Sequence, residues 1–81
     1  MKTNHSQEVN FDFIATRLKE FRVKKGYSNY EHLAYEIGIS RSQYGRYEKG
    51  ANMKLSTLFK ILEFLEVSVE EFFKGIDEYN S

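Results

Sequence analysis

The amino-acid sequence predicts an all-α fold, a compact bundle of five helices, from three observations. Apolar residues recur at helical spacing, as in Ile14, Leu18 and Phe21, and the alternation that marks strands is absent over any useful length. Three segments, Ser28-x-x-Glu31, Ser40-x-x-Gln43 and Ser68-x-x-Glu71, match the capping box, in which side chains satisfy the free N–H groups at a helix start. The chain also contains no proline, which suits short helices joined by tight glycine or polar turns.

The elements follow in order. The first helix is expected over about Phe11 to Lys25, with Asn10 as a cap and Gly26 at its end. The three serine boxes start the second helix (Asn29 to Ile37), the third (Arg41 to Lys49) and the fifth (Val69 to Lys74). The fourth runs from Leu55 to Leu65 on the spacing of Leu55, Leu58, Ile61, Leu62 and Leu65, with Asn52 as its best cap candidate. The expected core is Ile14, Leu18, Phe21, Leu33, Ala34, Ile37, Ile39, Tyr44, Tyr47, Leu55, Leu58, Ile61, Leu62, Leu65, Val67, Val69, Phe72 and Phe73. Residues 1–9 read as a polar tail, 10–75 as one domain and 76–81 as a C-terminal tail.

Composition narrows the function. With 41% hydrophobic and 30% charged residues, the 81-residue chain reads as one soluble domain. No apolar run approaches the roughly 18 residues of a membrane span, and Met1 to Glu8 shows no apolar signal region, so a cytoplasmic setting is expected. The absence of cysteine excludes disulfides, thiolate zinc sites and cysteine nucleophiles. His5 and His32 fit no metal-ligand spacing, Ser40 and Ser68 have capping explanations, and the glycines are scattered singly. No cofactor, metal or catalytic set is therefore expected, and the chain does not read as an enzyme. The net charge is zero, but Arg17 to Lys60 carries ten bases against four acids and Ile61 to Ser81 one base against six acids. Either this is ordinary surface charge, or one basic face meets a polyanion.

Between the second and third helices, Ile37-Gly38-Ile39-Ser40 leaves room only for a tight turn. Ala34 lies four residues before Gly38, where a large side chain would hold two helices apart, and Leu33, Ile37, Ile39, Tyr44 and Tyr47 supply buried faces. This pattern describes a helix-turn-helix, whose second helix is held by its apolar side while its N-terminal residues project outward.

At these residues the sequence resembles the phage-repressor-like (XRE, Cro/C1-type) helix-turn-helix family. The resemblance runs from about Ile14 to Phe73. It is carried by Arg17-Leu18-Lys19-Glu20-Phe21-Arg22, Lys25-Gly26-Tyr27-Ser28, Leu33-Ala34, Ile37-Gly38-Ile39-Ser40-Arg41-Ser42, Arg46-Tyr47-Glu48-Lys49-Gly50, Leu58, Lys60-Ile61 and Val67-Ser68-Val69-Glu70-Glu71-Phe72-Phe73. It implies a lambda-repressor-like bundle with the third helix in the major groove of double-stranded DNA. The implied function is sequence-specific, repressor-type transcriptional regulation by a homodimer. Ser40, Arg41, Ser42, Gln43 and Arg46 would then read bases, Arg41 and Arg46 as forks for guanine O6 and N7. Ser40 and Gln43 are equally capping residues. Ser28, Asn29, Tyr30, Lys49, Asn52 and Lys54 would bind phosphates. Arg22 and Glu48 match a family pair that is scaffold.

The sequence departs from the family in places. A glutamine that clamps phosphate is replaced by Asn29 and Tyr30, in a stretch one residue longer than usual. Tyr44 stands where Ile or Val is usual, and its hydroxyl must find a partner. Gly45 weakens the third helix and is expected to remove a side chain from its DNA-facing side. Glu66 replaces a glycine that ends the fourth helix. Lys24 and Lys25 suit either phosphate or the dipole of their own helix. A rival reading is a protein-interaction module on the same fold, such as an antitoxin with a protein partner. In it Phe73, Ile76 and Tyr79 form a docking or dimer surface rather than ordinary terminal packing.

Overall fold

A computed structural model describes residues 11–79. The first helix, α1 (Phe11–Lys25), has the predicted span; its expected cap, Asn10, and the 1–9 tail lie outside the described residues. Leu18 is fully buried, and Phe13, Ile14, Ala15 and Phe21 line the same inward side. Phe13 and Ala15 were not among the expected core residues. Phe13 is drawn in because its ring stacks on Phe73, 6.4 Å away, from the far end of the domain.

The second helix, α2 (Tyr30–Ile37), starts one residue later than predicted. Asn29, not Ser28, is its cap: the Asn29 side chain accepts a 2.8 Å bond from the His32 N–H. Asn and Ser cap about equally well, so a cap moved one residue along from the expected Ser28 costs little. Gly38 follows in the left-handed region, φ 89°. Its N–H and that of Ile39 both return to the Ala34 carbonyl at 2.9 Å, closing the turn within three residues. A side chain at Gly38 would be strained there.

The third helix, α3 (Arg41–Tyr47), opens on the predicted cap, with the Ser40 hydroxyl accepting from the Gln43 N–H at 3.1 Å. It ends two residues before the predicted Lys49, because the Lys49 N–H bonds Arg46 in a tightened turn and the chain then reverses at Gly50. The fourth helix, α4 (Leu55–Leu65), is capped by Lys54 without a side-chain bond, so Asn52 does not serve as its cap. It stops at Glu66, which takes the left-handed conformation, φ 61°, that a glycine usually fills. The fifth helix, α5 (Val69–Phe72), is started by Ser68, whose hydroxyl accepts from the Glu71 N–H at 3.0 Å, and it ends short of the predicted Lys74. A further short helix, α6 (Ile76–Tyr79), occupies residues read from sequence as tail.

The core gathers Leu18, Phe21, Leu33, Ala34, Ile37, Tyr44, Tyr47, Leu58, Ile61, Leu62, Leu65 and Phe72 between the helices. Ile39, Val67 and Phe73 pack against it half-buried. Leu55 and Val69 were expected inside but are exposed, at 62% and 48%. Each is the first residue of its helix, so no preceding turn brings it to the packed side. Among the described residues no helix is long and apolar enough to cross a membrane.

Two features of the core carry chemical tension. The Tyr44 hydroxyl is buried without a hydrogen-bond partner of good geometry, although the Glu48 carboxylate lies close by. Burial, and then the nearby Glu48 charge, push the Tyr44 phenol well above its ordinary value of 10.0. Tyr44→Phe keeps the ring and removes the unpaired group, so urea unfolding at neutral pH should show stability unchanged or raised by up to about 1 kcal/mol. The folded phenol stays protonated where the unfolded one ionises. Stability contributed by Tyr44 is therefore full below its unfolded pKa, near 10, and is lost as pH rises above it. The Tyr44→Phe variant should lose less stability than the parent over that alkaline range, and equal loss would contradict the assignment.

Gly45 is the second. It is buried against α2, not turned toward solvent as the sequence reading expected: a Cβ there would stand 2.9 Å from the ring of Tyr30. The glycine permits close approach of α3 to that ring. On helix propensity alone Gly45→Ala gains about 1 kcal/mol. In the parent it should gain clearly less, because the Tyr30 ring must move. In a Tyr30→Ala background the full gain should appear, and a double-mutant cycle by chemical denaturation reads the difference.

Candidate nucleic-acid interface

The presentation of α3 is set by what holds it. Tyr44, Gly45 and Tyr47 are its buried residues, facing α2 and the core. Its far end is clamped by Arg22 of α1. The Arg22 guanidinium donates to both oxygens of Glu48, at 2.8 and 3.2 Å, and to the Tyr27 carbonyl at 2.6 Å. Both side chains of the pair are nearly inaccessible, at 6% and 8%. A two-pronged Arg–carboxylate pair fixes direction as well as distance. The sequence reading of Arg22 and Glu48 as scaffold matches this geometry.

With its inner side fixed, α3 turns Arg41, Ser42 and Arg46 to solvent and leaves Gln43 half-buried. Ser42 and Arg46, one turn apart, occupy the middle of the outward side. At about 100° per residue, Arg41 falls on the flank nearest α2, where it borders a notch with Glu31, Tyr35, Ile39 and Ser40. Gln43 falls on the opposite flank, toward the start of α4. There a groove is lined by Gln43, Tyr47, Asn52, Met53, Lys54 and Thr57. Of the expected base readers, Ser42 and Arg46 thus share the outward side, while Arg41 lies about 140° round the helix from Arg46 on one flank and Gln43 on the other, where the groove joins it to two of the expected phosphate ligands, Asn52 and Lys54. Thr57 and the Tyr47 hydroxyl were not foreseen in this groove. The spacing from Gln43 to Tyr47, i to i+4, was the available signal.

The other expected phosphate ligands are placed differently. Lys49 is exposed just beyond α3. Ser28 is exposed and does not cap. Asn29 is engaged as the α2 cap. Tyr30 is half-buried, with its ring 6.2 Å from that of Tyr44 and packed over Gly45. The place of a phosphate-clamping side chain is therefore filled largely by a packing residue.

Of the ten bases of the middle segment, Lys19 and Lys60 are exposed on α1 and α4, and the other eight divide by use. Arg17 donates to the last carbonyls of α5, Phe72 at 2.9 Å and Glu71 at 2.8 Å, and pairs with Glu20. Arg22 holds Glu48. Lys25 bonds Glu66 at 2.8 Å, which holds the Glu66 carboxyl below the usual carboxylate range. Lys24 lies 5.6 Å above the Phe21 ring. Lys24 and Lys25 thus serve contacts within the domain. Arg41, Arg46, Lys49 and Lys54 are all exposed, and none forms an ion pair among the described residues. The acidic segment spans the end of α4 (Glu63, Glu66), α5 (Glu70, Glu71) and α6 (Asp77, Glu78), with Phe73 packed on Phe13 and Phe72. Phe73 is thereby accounted for by terminal packing.

A helix-turn-helix family model matches residues 18–72. The match takes in both helices of the turn, the clamp and the α4–α5 close, and the chain belongs to this family. Over 60 residues it is 45% identical to the SPbeta prophage-derived uncharacterized HTH-type transcriptional regulator YonR of Bacillus subtilis strain 168, covering 73% of this chain and 55% of that protein. It is 33% identical over 69 residues, or 84% of its length, to uncharacterized HTH-type transcriptional regulators of Rickettsia conorii and Rickettsia prowazekii. These matches cover 54% and 52% of the two proteins, so the chain spans about half the length of the curated relatives it matches. No solved structure matches it. The relatives bear the names of regulators and not of enzymes.

The clamp makes a stability prediction. Removing one partner of a buried pair leaves the other charge unpaired and costs about 3–5 kcal/mol. Arg22→Met and Glu48→Leu should each fall in that range by chemical denaturation. The double variant, with no charge left behind, should recover most of the loss. Single variants costing under about 1 kcal/mol would show that the pair does not anchor α3.

Proposed function

We propose that this chain is a sequence-specific DNA-binding transcriptional regulator of the repressor type, reading the major groove with α3. The observation that carries the reading is the arrangement of α3 itself. Its inner side is locked by packing and the Arg22–Glu48 pair, while Ser42 and Arg46 face outward between Arg41 and Gln43. The names of the relatives, HTH-type transcriptional regulators, support it. Arg41 and Arg46 act as guanine forks, and Ser40, Ser42 and Gln43 as shorter readers. Lys49, Asn52 and Lys54 position the duplex through phosphates, with a lesser share from the start of α2 at Ser28, Asn29 and Tyr30. The regulator works as a homodimer in the cytoplasm, on half-sites about one helical turn apart.

Selection of bound sequences from a random duplex pool tests this directly. The parent should enrich a motif with two related halves. Arg46→Ala and Arg41→Ala should each cost about 1–3 kcal/mol of binding and relax preference at one base pair per half-site. Lys54→Ala should weaken binding to all sequences alike and reduce the salt slope by about one. A parent that enriches no sequence would overturn the reading in favour of a protein-interaction module. Arginine variants that bind every site like the parent would overturn the assignment of readers.

A further inference from the structure

Gln43 has two hydrogen-bonding roles open to it, and the structure uses one that the cap does not require. Its backbone N–H serves the Ser40 cap. Its side chain does not return to the cap, as a capping box would have it, but donates from Nε2 to the Tyr47 hydroxyl at 3.0 Å. The Tyr47 ring is 6% exposed, held in the core edge-on to Tyr44 at 6.3 Å. Its hydroxyl is therefore a fixed point, anchored by packing, at the wall of the α3–α4 groove. A half-buried glutamine tied to a fixed point loses much of the rotamer freedom a surface glutamine keeps. The carboxamide still offers its oxygen and a second N–H, the two groups that together match adenine N6 and N7. Asn52 and Lys54 border the same groove, where a phosphate of the duplex would be held.

We propose that Tyr47 is a positioning residue for sequence recognition: its hydroxyl holds the Gln43 amide at the edge of the α3–α4 groove, so that Gln43 discriminates for adenine at one base pair. This rests on the DNA-binding reading above. Tyr47 itself touches no base. Its effect is to spare the ordering that an unrestrained Gln43 undergoes on binding, and to forbid orientations in which the amide accepts a different base.

The test repeats the random-pool selection with Gln43→Ala and Tyr47→Phe, the latter keeping the ring and losing only the hydroxyl. Gln43→Ala should remove the adenine preference at one position per half-site. Tyr47→Phe should weaken preference at that same position about fivefold or more, with other positions within about twofold of the parent. Tyr47→Phe with the parent's preferences throughout, or with affinity lowered equally for all sequences, would overturn the proposal and leave the DNA-binding reading standing. A parent that enriches nothing would bring both down. A second measurement needs no DNA: nitrogen relaxation of the Gln43 side-chain amide should show an ordered group in the parent and a mobile one in Tyr47→Phe. Should Tyr47→Phe not fold, the parent amide decides alone. An ordered Gln43 amide supports the inference, and one as mobile as the exposed Asn52 amide overturns it.

Discussion

The pair between Arg22 and Glu48 joins two parts of the chain that are 26 residues apart, and the direction of α3 depends on it. Burying two charges costs several kcal/mol per ion, and here the cost is offset by two Arg–carboxylate bonds and a third to the Tyr27 carbonyl. Such a pair has sharp directional demands. Apolar packing by Tyr44 and Tyr47 could accommodate small rotations of α3, but the guanidinium plane does not. The pair sits at the end of the helix: Glu48, held by Arg22, is the C-cap of α3, and the chain leaves there toward Lys49, Asn52 and Lys54.

The basic segment does two jobs that sequence charge alone cannot separate. Arg17, Arg22 and Lys25 satisfy carbonyls and carboxylates within the domain. Arg41, Arg46, Lys49 and Lys54 are exposed and form no ion pair among the described residues. A chain of zero net charge can thus still expose a group of bases on α3 and after it, because Glu20, Glu48 and Glu66 are paired on the scaffold and four more acids lie on α5 and α6, although Glu31 borders the notch beside Arg41.

Much of this was legible in the sequence. The span of α1, the Gly38 turn, the Ser40 and Ser68 caps and the Arg22–Glu48 pair all follow from local chemistry or from the family pattern, which constrain neighbouring residues strongly. The departures come from competition or from tertiary contact. Ser28 was expected as the cap of α2, but Asn29, which caps as well, takes that place, because the backbone path sets which side chain meets the His32 N–H. Leu55 and Val69 have the right spacing but stand at helix starts. Phe13 is buried by Phe73, sixty residues away in the chain, which no periodicity in α1 encodes. Gly45 read as a gap on the outward side, whereas the missing side chain makes room for Tyr30. The Gln43–Tyr47 bond depends on how deeply the Tyr47 ring enters the core, and a one-dimensional pattern does not carry that depth.

The outward surface of α3 and the start of α4 form one continuous candidate face, opposed in character by the acidic α5. The most direct measurement is a nuclear magnetic resonance titration of the chain with a duplex, following every backbone amide. Shifts concentrated on Ser40 to Arg46 and on Lys49 to Lys54, with Val69 to Phe72 unmoved, are the predicted result. Shifts concentrated on α5, or on the exposed Leu55 and Phe59 of α4, with the α3 amides unmoved, would contradict it.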